Sequence, residues 1–421
     1  MDTTATTTTH ERISRMGYIV AITMWFFLLI DGCDLQMLAM ALPNIMKDLN
    51  LNPVMGGLLA SWSFFGMLVG GILAGWISDR LGRVKVAAWG IVLFSVTTGV
   101  IAFTQNFWQF AILRFLTGFG LSAFSSVGLV MATEYIPTKQ RNTVLGILHA
   151  ASSVGYVIAA LLAAYIMPNY GWRPMFVIAI IPACLVIILL RVLKEPPSYV
   201  VAQEQRKLDK EPANEYAIIY GDKTLLKYFV VWTISSFFLQ AGFYAANTWL
   251  PTYLVKELGI DLKNMGWYIA GNYTMVVLGK VVAGYLSDKF GRKMVWVVGS
   301  ILTAVSFPLI THYITASNAG YLMLIFGIFY GAPLAISFTF ISESFPTKVR
   351  GTATGGVWNA GRLGSMVSPL IVGYMATQYS IGYGIALMGV AYAITGISTG
   401  LFIKEKLYDP KAVDNVTSGL H

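Results

Sequence analysis

Residues 75–83 read "GWISDRLGR", and residues 284–292 read "GYLSDKFGR", 209 positions later. Two further pairs of strings have the same spacing. They are "EYIPTKQR" (134–141) with "ESFPTKVR" (343–350), and "KDL" (47–49) with "KEL" (256–258). Three matches at one offset indicate that the chain consists of two copies of one structural unit.

Both copies are strongly apolar. Of the 421 residues, 56% are hydrophobic and 12% are charged, whereas a soluble domain carries about 25% charged residues. Apolar runs of about 20 residues are typical of membrane-spanning helices, since lipid offers no partner for backbone N–H and C=O groups. The twelve runs that we identify lie at 17–43, 54–78, 86–103, 107–132, 142–167, 172–193, 227–251, 264–287, 294–315, 319–341, 352–376 and 381–403.

The repeat divides these runs into six and six. The sequence therefore predicts an all-α membrane protein with twelve transmembrane helices in two six-helix pseudo-repeats. The predicted domains are an N-terminal bundle with its tail (1–193), a charged cytoplasmic linker (194–226) and a C-terminal bundle with its tail (227–421). Most of the 29 lysines and arginines fall in the termini and in the loops on one side, which predicts that both termini are cytoplasmic.

The repeated strings are predicted to form a gate at the cytoplasmic ends of the helices. Gly75 and Gly82 allow close packing and a tight turn, and Asp79 lies where the second helix meets the cytoplasm. A carboxylate there could hold the two copies together and release them when they move, although a simple topogenic loop is the alternative. The residues assigned to the gate are Gly75, Asp79, Arg80, Gly82, Arg83, Glu134, Arg141, Asp288, Arg292, Glu343 and Arg350.

Two aspartates lie deep in the first apolar run. Asp31 and Asp34 belong to the string "DGCD", and none of the other acidic residues lies as deep in a run. An aspartate at the centre of a membrane helix costs about 2.5–3.5 kcal/mol on insertion scales, so its presence indicates a function. Arg114, in the fourth run, lies at a similar predicted depth. These three residues could take up and release a proton, or they could pair simply to hold the bundle together.

The second copy has deep cations in place of deep acids. Arg362 and Lys280 are predicted to meet an anionic substrate, the arginine through a bidentate contact and the lysine as a point charge. Lys280 could instead pair with Asp288, two turns away. Weaker candidates for the substrate site are Tyr244, Asn247, Trp358, Ser122 and Ser125.

The repeated pattern G-x-x-x-D-R/K-x-G-R, in a chain of six plus six helices, resembles the major facilitator superfamily. The string "RFLTGFG" (114–120) resembles a fourth-helix motif of that superfamily that is often linked with proton coupling, and "DGCD" (31–34) is similar to the D-G-x-D string of its aromatic acid:proton symporters. "NAGRLGSMVSPL" (359–370) also resembles the eleventh helix of that family. The resemblance implies that Asp31, Asp34 and Arg114 match the family's acids and arginine.

Two features depart from the family pattern. "KEPPSYV" (194–200) matches the linker motif of the sugar porters only loosely, and the family motif does not lead us to expect Lys280. Cys33 and Cys184 both fall within predicted helices, where we expect packed thiols without a disulfide or a metal.

The charge pattern favours a proton-coupled symporter that imports a small organic anion, such as an aromatic carboxylate or a related ring-cleavage (di)carboxylic acid. The alternatives are a drug:proton antiporter of the same fold and a membrane sensor that transports nothing. We expect no enzyme activity, cofactor or metal, because the sequence has no Walker loop, zinc spacing or nucleophile elbow. The expected partners are the anion, protons and the lipid bilayer of a bacterial inner membrane. We expect a monomer and no nucleic acid, because the basic residues are scattered over short loops.

Overall fold

The computed structural model describes residues 13–136, 138–184, 193, 195, 215–346 and 348–405. Within these residues the regular structure is helical. The helices are α1 (Arg15–Asp48), α2 (Pro53–Leu81), α3 (Arg83–Ile101), α4 (Phe107–Tyr135), α5 (Thr138–Tyr170), α6 (Arg173–Ile178), α7 (Glu215–Gly221), α8 (Lys223–Lys256), α9 (Leu262–Phe290), α10 (Arg292–Tyr313), α11 (Ala319–Tyr330), α12 (Ala332–Glu343), α13 (Arg350–Gln378) and α14 (Ile381–Phe402).

Ten segments of the described residues are long and apolar enough to cross a membrane, and α11 and α12 together form one of them. Helix α13 is also long, with 29 residues. It is not among the ten because glycine, serine and threonine, together with Arg362, lower its hydropathy. The sixth predicted run begins with α6, and a short apolar helical stretch continues from it to Cys184. Residues 185–192 of this run lie outside the described part of the chain. The twelve-helix, two-repeat fold is therefore confirmed.

Single glycines separate α2 from α3 and α9 from α10. Gly82 and Gly291 have φ angles of +98° and +93°, a conformation that residues with a Cβ rarely adopt. The N–H group of each glycine donates a hydrogen bond to the last turn of the preceding helix, and its carbonyl oxygen accepts one from the first turn of the following helix. The two repeated strings therefore form the same sharp turn, 209 residues apart.

Glycines also bring helices into close contact within each half. A Cβ on Gly118 of α4 would collide with the Ser63 carbonyl group of α2, and a Cβ on Gly364 of α13 would collide with the Phe237 carbonyl group of α8. Small residues at helix crossings allow backbones to approach closely, which is how helices associate in a membrane. We refer to α1–α6 as the N-terminal half and to α8–α14 as the C-terminal half.

The two halves are packed closely at one end of the bundle. At the end opposite the start of α1, a Cβ on Gly57 would collide with the Pro369 carbonyl group, and one on Gly266 would lie 2.6 Å from the Ala164 Cβ atom. At the end where α1 begins and α14 ends, which we call the terminal face, a Cβ on Gly75 or Gly355 would meet no atom within 4 Å. Close packing between the halves is therefore found at the opposite face, while these two glycines at the terminal face have open space beside them.

The two cysteines have different surroundings. The Cys33 thiol donates a hydrogen bond to the Gly155 carbonyl oxygen at 3.1 Å, where α1 crosses α5. Cys184 is exposed. The packed thiol predicted for Cys33 is thus confirmed, whereas the same prediction for Cys184 is wrong.

Candidate functional site

Asp34 and Arg114 form a bidentate ion pair inside the N-terminal half. The two distances are 3.1 Å between Nη2 and Oδ2 and 3.3 Å between Nη1 and Oδ1. Both side chains are buried, with 2% and 0% of their surfaces exposed. The Thr98 hydroxyl group donates to the Asp34 carboxylate at 2.8 Å, and Arg114 Nε donates to the Ser63 hydroxyl group at 2.8 Å. This network joins α1, α2, α3 and α4.

Asp31 has different surroundings although it lies only three residues from Asp34. It is buried, with 8% of its surface exposed, and its Oδ1 atom has no hydrogen-bond partner among the described residues. The Arg362 guanidinium and the Tyr244 hydroxyl group lie near enough for direct electrostatic interaction with its carboxyl group. The structure therefore places one aspartate in a closed ion pair and the other at the contact between the two halves.

Arg362 reaches from α13 into the N-terminal half. Its Nη1 atom donates to the Ser122 hydroxyl group at 2.6 Å and to the Met67 carbonyl oxygen at 2.8 Å. The side chain is only half-buried although it lies deep in the bundle, so it borders the space between the halves. Ser125, by contrast, stays within its own helix, where it donates to the Ser122 carbonyl oxygen at 3.4 Å.

Lys280 makes a second contact between the halves. Its Nζ atom donates to the Ser153 hydroxyl group of α5 at 2.7 Å. Lys280 is half-buried and lies deep in the bundle. The alternative pairing with Asp288 is wrong, because the structure places Arg292 Nη1 2.6 Å from the Asp288 carboxylate instead.

Aromatic rings line the contact between the halves. Phe64 and Tyr244 have ring centroids 4.8 Å apart, and Tyr156 and Tyr273 have centroids 4.9 Å apart. The hydroxyl groups of Tyr156 and Tyr244 lie close to each other. These rings form a wall that includes Tyr244 and that sits beside Asp31 and Arg362.

The other predicted substrate residues have partners of their own. The Asn247 side chain accepts a hydrogen bond from the Tyr273 hydroxyl group at 2.8 Å. The Trp358 ring packs against Phe338, with centroids 5.3 Å apart, and its carbonyl oxygen accepts a hydrogen bond from Gln240 at 3.0 Å. Asn247 therefore belongs to the aromatic wall, and Trp358 packs within the C-terminal half.

Sequence reasoning missed Ser153, Tyr156, Tyr273 and Phe64. A helical signal was nevertheless available for three of them. Ser153 and Tyr156 are three residues apart on α5, and Tyr273 and Lys280 are seven apart on α9, so each pair shares one helix face. Helix α5 thus presents a serine and a tyrosine on one face, and α9 presents a tyrosine and a lysine on one face. These two matching faces are a sequence signal for the contact between α5 and α9.

A cavity of about 10 Å³ lies beyond the Asp34–Arg114 pair toward the opposite face, with room for roughly one water molecule. Its wall includes Ser63, Phe64 and Arg114 from one half and Asn247 and Thr248 from the other. The side-chain packing thus agrees with closure at the opposite face.

The gate residues form ion pairs within each half. Arg83 pairs with Glu134, and the equivalent Arg292 lies 3.4 Å from Glu343.

The other gate residues have separate surroundings. Gly82 forms the turn between α2 and α3, while Gly75 faces open space. The Arg80 guanidinium lies over the Trp76 ring, 3.8 Å from its centroid. Arg350 Nε donates a hydrogen bond to the Phe345 carbonyl oxygen at 3.2 Å. The side chains of Asp79 and Arg141 lie outside the described part of the structure.

Comparison with known proteins agrees with this arrangement. The family model of the Major Facilitator Superfamily matches residues 24–270 and 233–418, which together span nearly the whole chain. The chain belongs to the major facilitator superfamily. As a member of this superfamily, it is a multi-pass integral membrane protein and a transporter of small molecules, and it is not an enzyme.

Individual relatives point to one branch of the major facilitator superfamily. The chain is 42% identical over 405 residues to the cis,cis-muconate transport protein of Acinetobacter baylyi, covering 96% of this chain and 98% of that protein. It is 26% identical to the benzoate transport protein of the same organism, with 97% and 94% covered. The crystal structure of a D-xylose–proton symporter has the same fold, with a TM-score of 0.76, 22% identity, and 93% and 99% of the two chains covered.

Proposed function

We propose that the protein is a proton-coupled symporter that imports a small organic anion by alternating access. The carrying observation is Asp31, a buried carboxyl group with an oxygen atom that has no partner among the described residues, within electrostatic reach of Arg362 from the other half. A carboxyl group binds the proton and a guanidinium binds the anion, so both ions of a symporter have a site at one place.

Asp31 is the proton carrier in this proposal, and Asp34 has a structural role. The Asp34 carboxylate is held by two arginine nitrogens and one threonine hydroxyl group. Across the described residues, no such donor reaches Asp31 Oδ1. A substrate carboxylate on Arg362 would repel an ionised Asp31, so the anion and the proton bind most favourably together. This reciprocal stabilisation is the thermodynamic basis of coupling.

The substrate is an aromatic carboxylate or a related ring-cleavage acid. The relatives named for cis,cis-muconate and benzoate support this class. The site also supports it, because Arg362 offers a bidentate contact for a carboxylate and the Phe64 and Tyr244 rings offer an apolar surface for a flat carbon skeleton.

The topology completes the proposal. The terminal face is cytoplasmic in a bacterial inner membrane, as the basic loops indicate, and the face at which the halves pack closely is then the outer one, as expected for an inward-facing carrier. The halves correspond to the domains 1–193 and 227–421, joined by the linker 194–226.

The gate residues hold the ends of the helices in each half while the halves rock as rigid bodies. The carrier acts as a monomer and without nucleic acid.

Uptake into proteoliposomes tests this function. We expect that an inside-alkaline gradient drives accumulation of labelled cis,cis-muconate or benzoate, and that a proton ionophore abolishes it. Asp31→Asn should lose the dependence on the gradient, whereas Ser125→Ala, a neighbour without a contact to Arg362, should keep it. Uptake that ignores the gradient, together with a fully active Asp31→Asn variant, would overturn the proposal.

A further inference from the structure

Lys280 is a deep ammonium group that has no anionic partner in the part of the chain that the structure describes. Among the described residues its hydrogen-bond partner is the neutral Ser153 hydroxyl group, and no ion pair involves it. Asp288, the nearest acid along α9, is occupied by Arg292. A cation inside a membrane protein is costly unless an opposite charge balances it. An ammonium group in this position therefore provides a site for an anion.

Lys280 and Arg362 share one arrangement. Both belong to the C-terminal half, both are half-buried, and each donates to a serine hydroxyl group of the N-terminal half. A serine oxygen is a neutral acceptor, whereas a carboxylate both accepts the hydrogen bond and supplies the opposite charge for an ammonium or guanidinium group. An entering carboxylate can thus replace Ser153 on Lys280 and Ser122 on Arg362.

The two cations lie along one aromatic wall. Tyr156 follows Ser153 by one turn on α5, and its hydroxyl group meets that of Tyr244, which in turn lies near Arg362. Tyr273 packs on Tyr156 and stands two turns from Lys280 on α9. A flat carbon skeleton could lie against this wall with one charged end at each cation.

We propose that Lys280 is a second carboxylate ligand, which makes the carrier selective for dicarboxylates over monocarboxylates. This inference rests on the proposed function for its anion site at Arg362. It assigns to Lys280 the role of a specificity-determining residue, because a monocarboxylate would leave this ammonium group without a counter-charge.

Calorimetric binding to the purified full-length protein tests this role. The two probes are cis,cis-muconate and the 2,4-hexadienoate of the same geometry, which has the same six-carbon diene and one carboxylate. We expect the wild type to bind muconate at least about 10-fold more tightly, as a charge-assisted bond of about 1.5–3 kcal/mol predicts. Equal affinities for the two probes would overturn the proposal without recourse to any variant.

Two variants distinguish a Lys280 that binds the substrate from a Lys280 that only joins the two halves. Lys280→Gln should weaken muconate binding about 10–100-fold and leave hexadienoate binding within about twofold. Ser153→Ala removes the same hydrogen bond but keeps the ammonium group, so muconate binding should stay within about threefold of the wild type. Equal losses in both variants, or an equal loss for both probes in Lys280→Gln, would show that Lys280 merely bridges the halves.

The uptake assay distinguishes failure of this inference from failure of the proposed function. Uptake without gradient dependence, combined with a selective loss of muconate binding in Lys280→Gln, would reject proton coupling and keep the second carboxylate site. Gradient-driven uptake with no preference for the dicarboxylate would keep the symporter and reject the role of Lys280.

Discussion

At the residue scale, the structure separates two aspartates that the sequence presents as a pair. Residues three apart on a helix differ by about 60° in direction. That angle lets Asp34 pair with Arg114 in the N-terminal half, while Asp31 stays outside this pair and within electrostatic reach of Arg362 of the C-terminal half. The depth of both acids could be predicted from the apolar run around them. Their different partners could not, because these depend on how α1 rotates against its neighbours.

The Asp34–Arg114 pair should be important for stability. Arg114→Gln leaves a buried carboxylate without its partner, and we expect a loss of about 3–5 kcal/mol in the free energy of unfolding. Asp288→Asn removes an ion pair whose acid is 70% exposed, and the expected loss is about 0–1 kcal/mol. Unfolding midpoints in detergent, measured with denaturant, test the difference. Similar losses in the two variants would contradict the assignment.

At the element scale, two helix starts are capped by distant glutamates. The Glu195 carboxylate accepts hydrogen bonds from the backbone N–H groups of Arg83 and Val84, both at 2.9 Å. Glu405 accepts one from the Lys293 N–H group at 3.4 Å. The dipeptide "KE" occurs at 194–195 and 404–405, so the repeat contained this signal one residue away from the common offset. The residues around the two dipeptides differ, so this signal is hard to recognise in the sequence.

Removal of these caps should cost unequal amounts of stability. Glu195→Gln weakens two short charge-assisted bonds at the start of α3, and we expect a loss of about 0.5–2 kcal/mol. Glu405→Gln weakens a single longer bond at the start of α10, so its loss should be smaller. Thermal unfolding of the two variants under identical conditions provides the measurement. A larger loss in Glu405→Gln would contradict this ranking.

At the scale of the whole molecule, hydropathy and the repeat were sufficient to predict the fold. The number of helices follows from the lipid environment, and the two halves follow from the offset of 209 residues. The sequence could not predict which face is closed, because the same residues must fit both arrangements of a rocking carrier. Nor could it predict Ser153 or Ser122 as partners of the cations, since a serine in an apolar helix carries no charge to mark it.

The closed face depends on glycine at the crossing of α2 and α13. Gly57→Leu would place a side chain against the Pro369 carbonyl group, so we expect the opposite face to open. Gly355→Leu on the terminal side of α13 has open space and serves as the control. The measurement uses protein in which Cys33 and Cys184 are replaced by serine and spin labels are attached at positions 47 and 256. The distance between the two labels should be longer only for Gly57→Leu. An unchanged distance would show that this crossing does not hold the face closed.

Coupled movement of protons and anion is the central claim, and a single measurement tests it directly. The external pH is recorded while cis,cis-muconate is added to proteoliposomes in weak buffer, with no imposed gradient. We predict that wild-type protein makes the external medium more alkaline as muconate enters, and that Asp31→Asn produces no such change. Entry of muconate without any change of external pH would contradict the account, as would an Asp31→Asn variant that still moves protons.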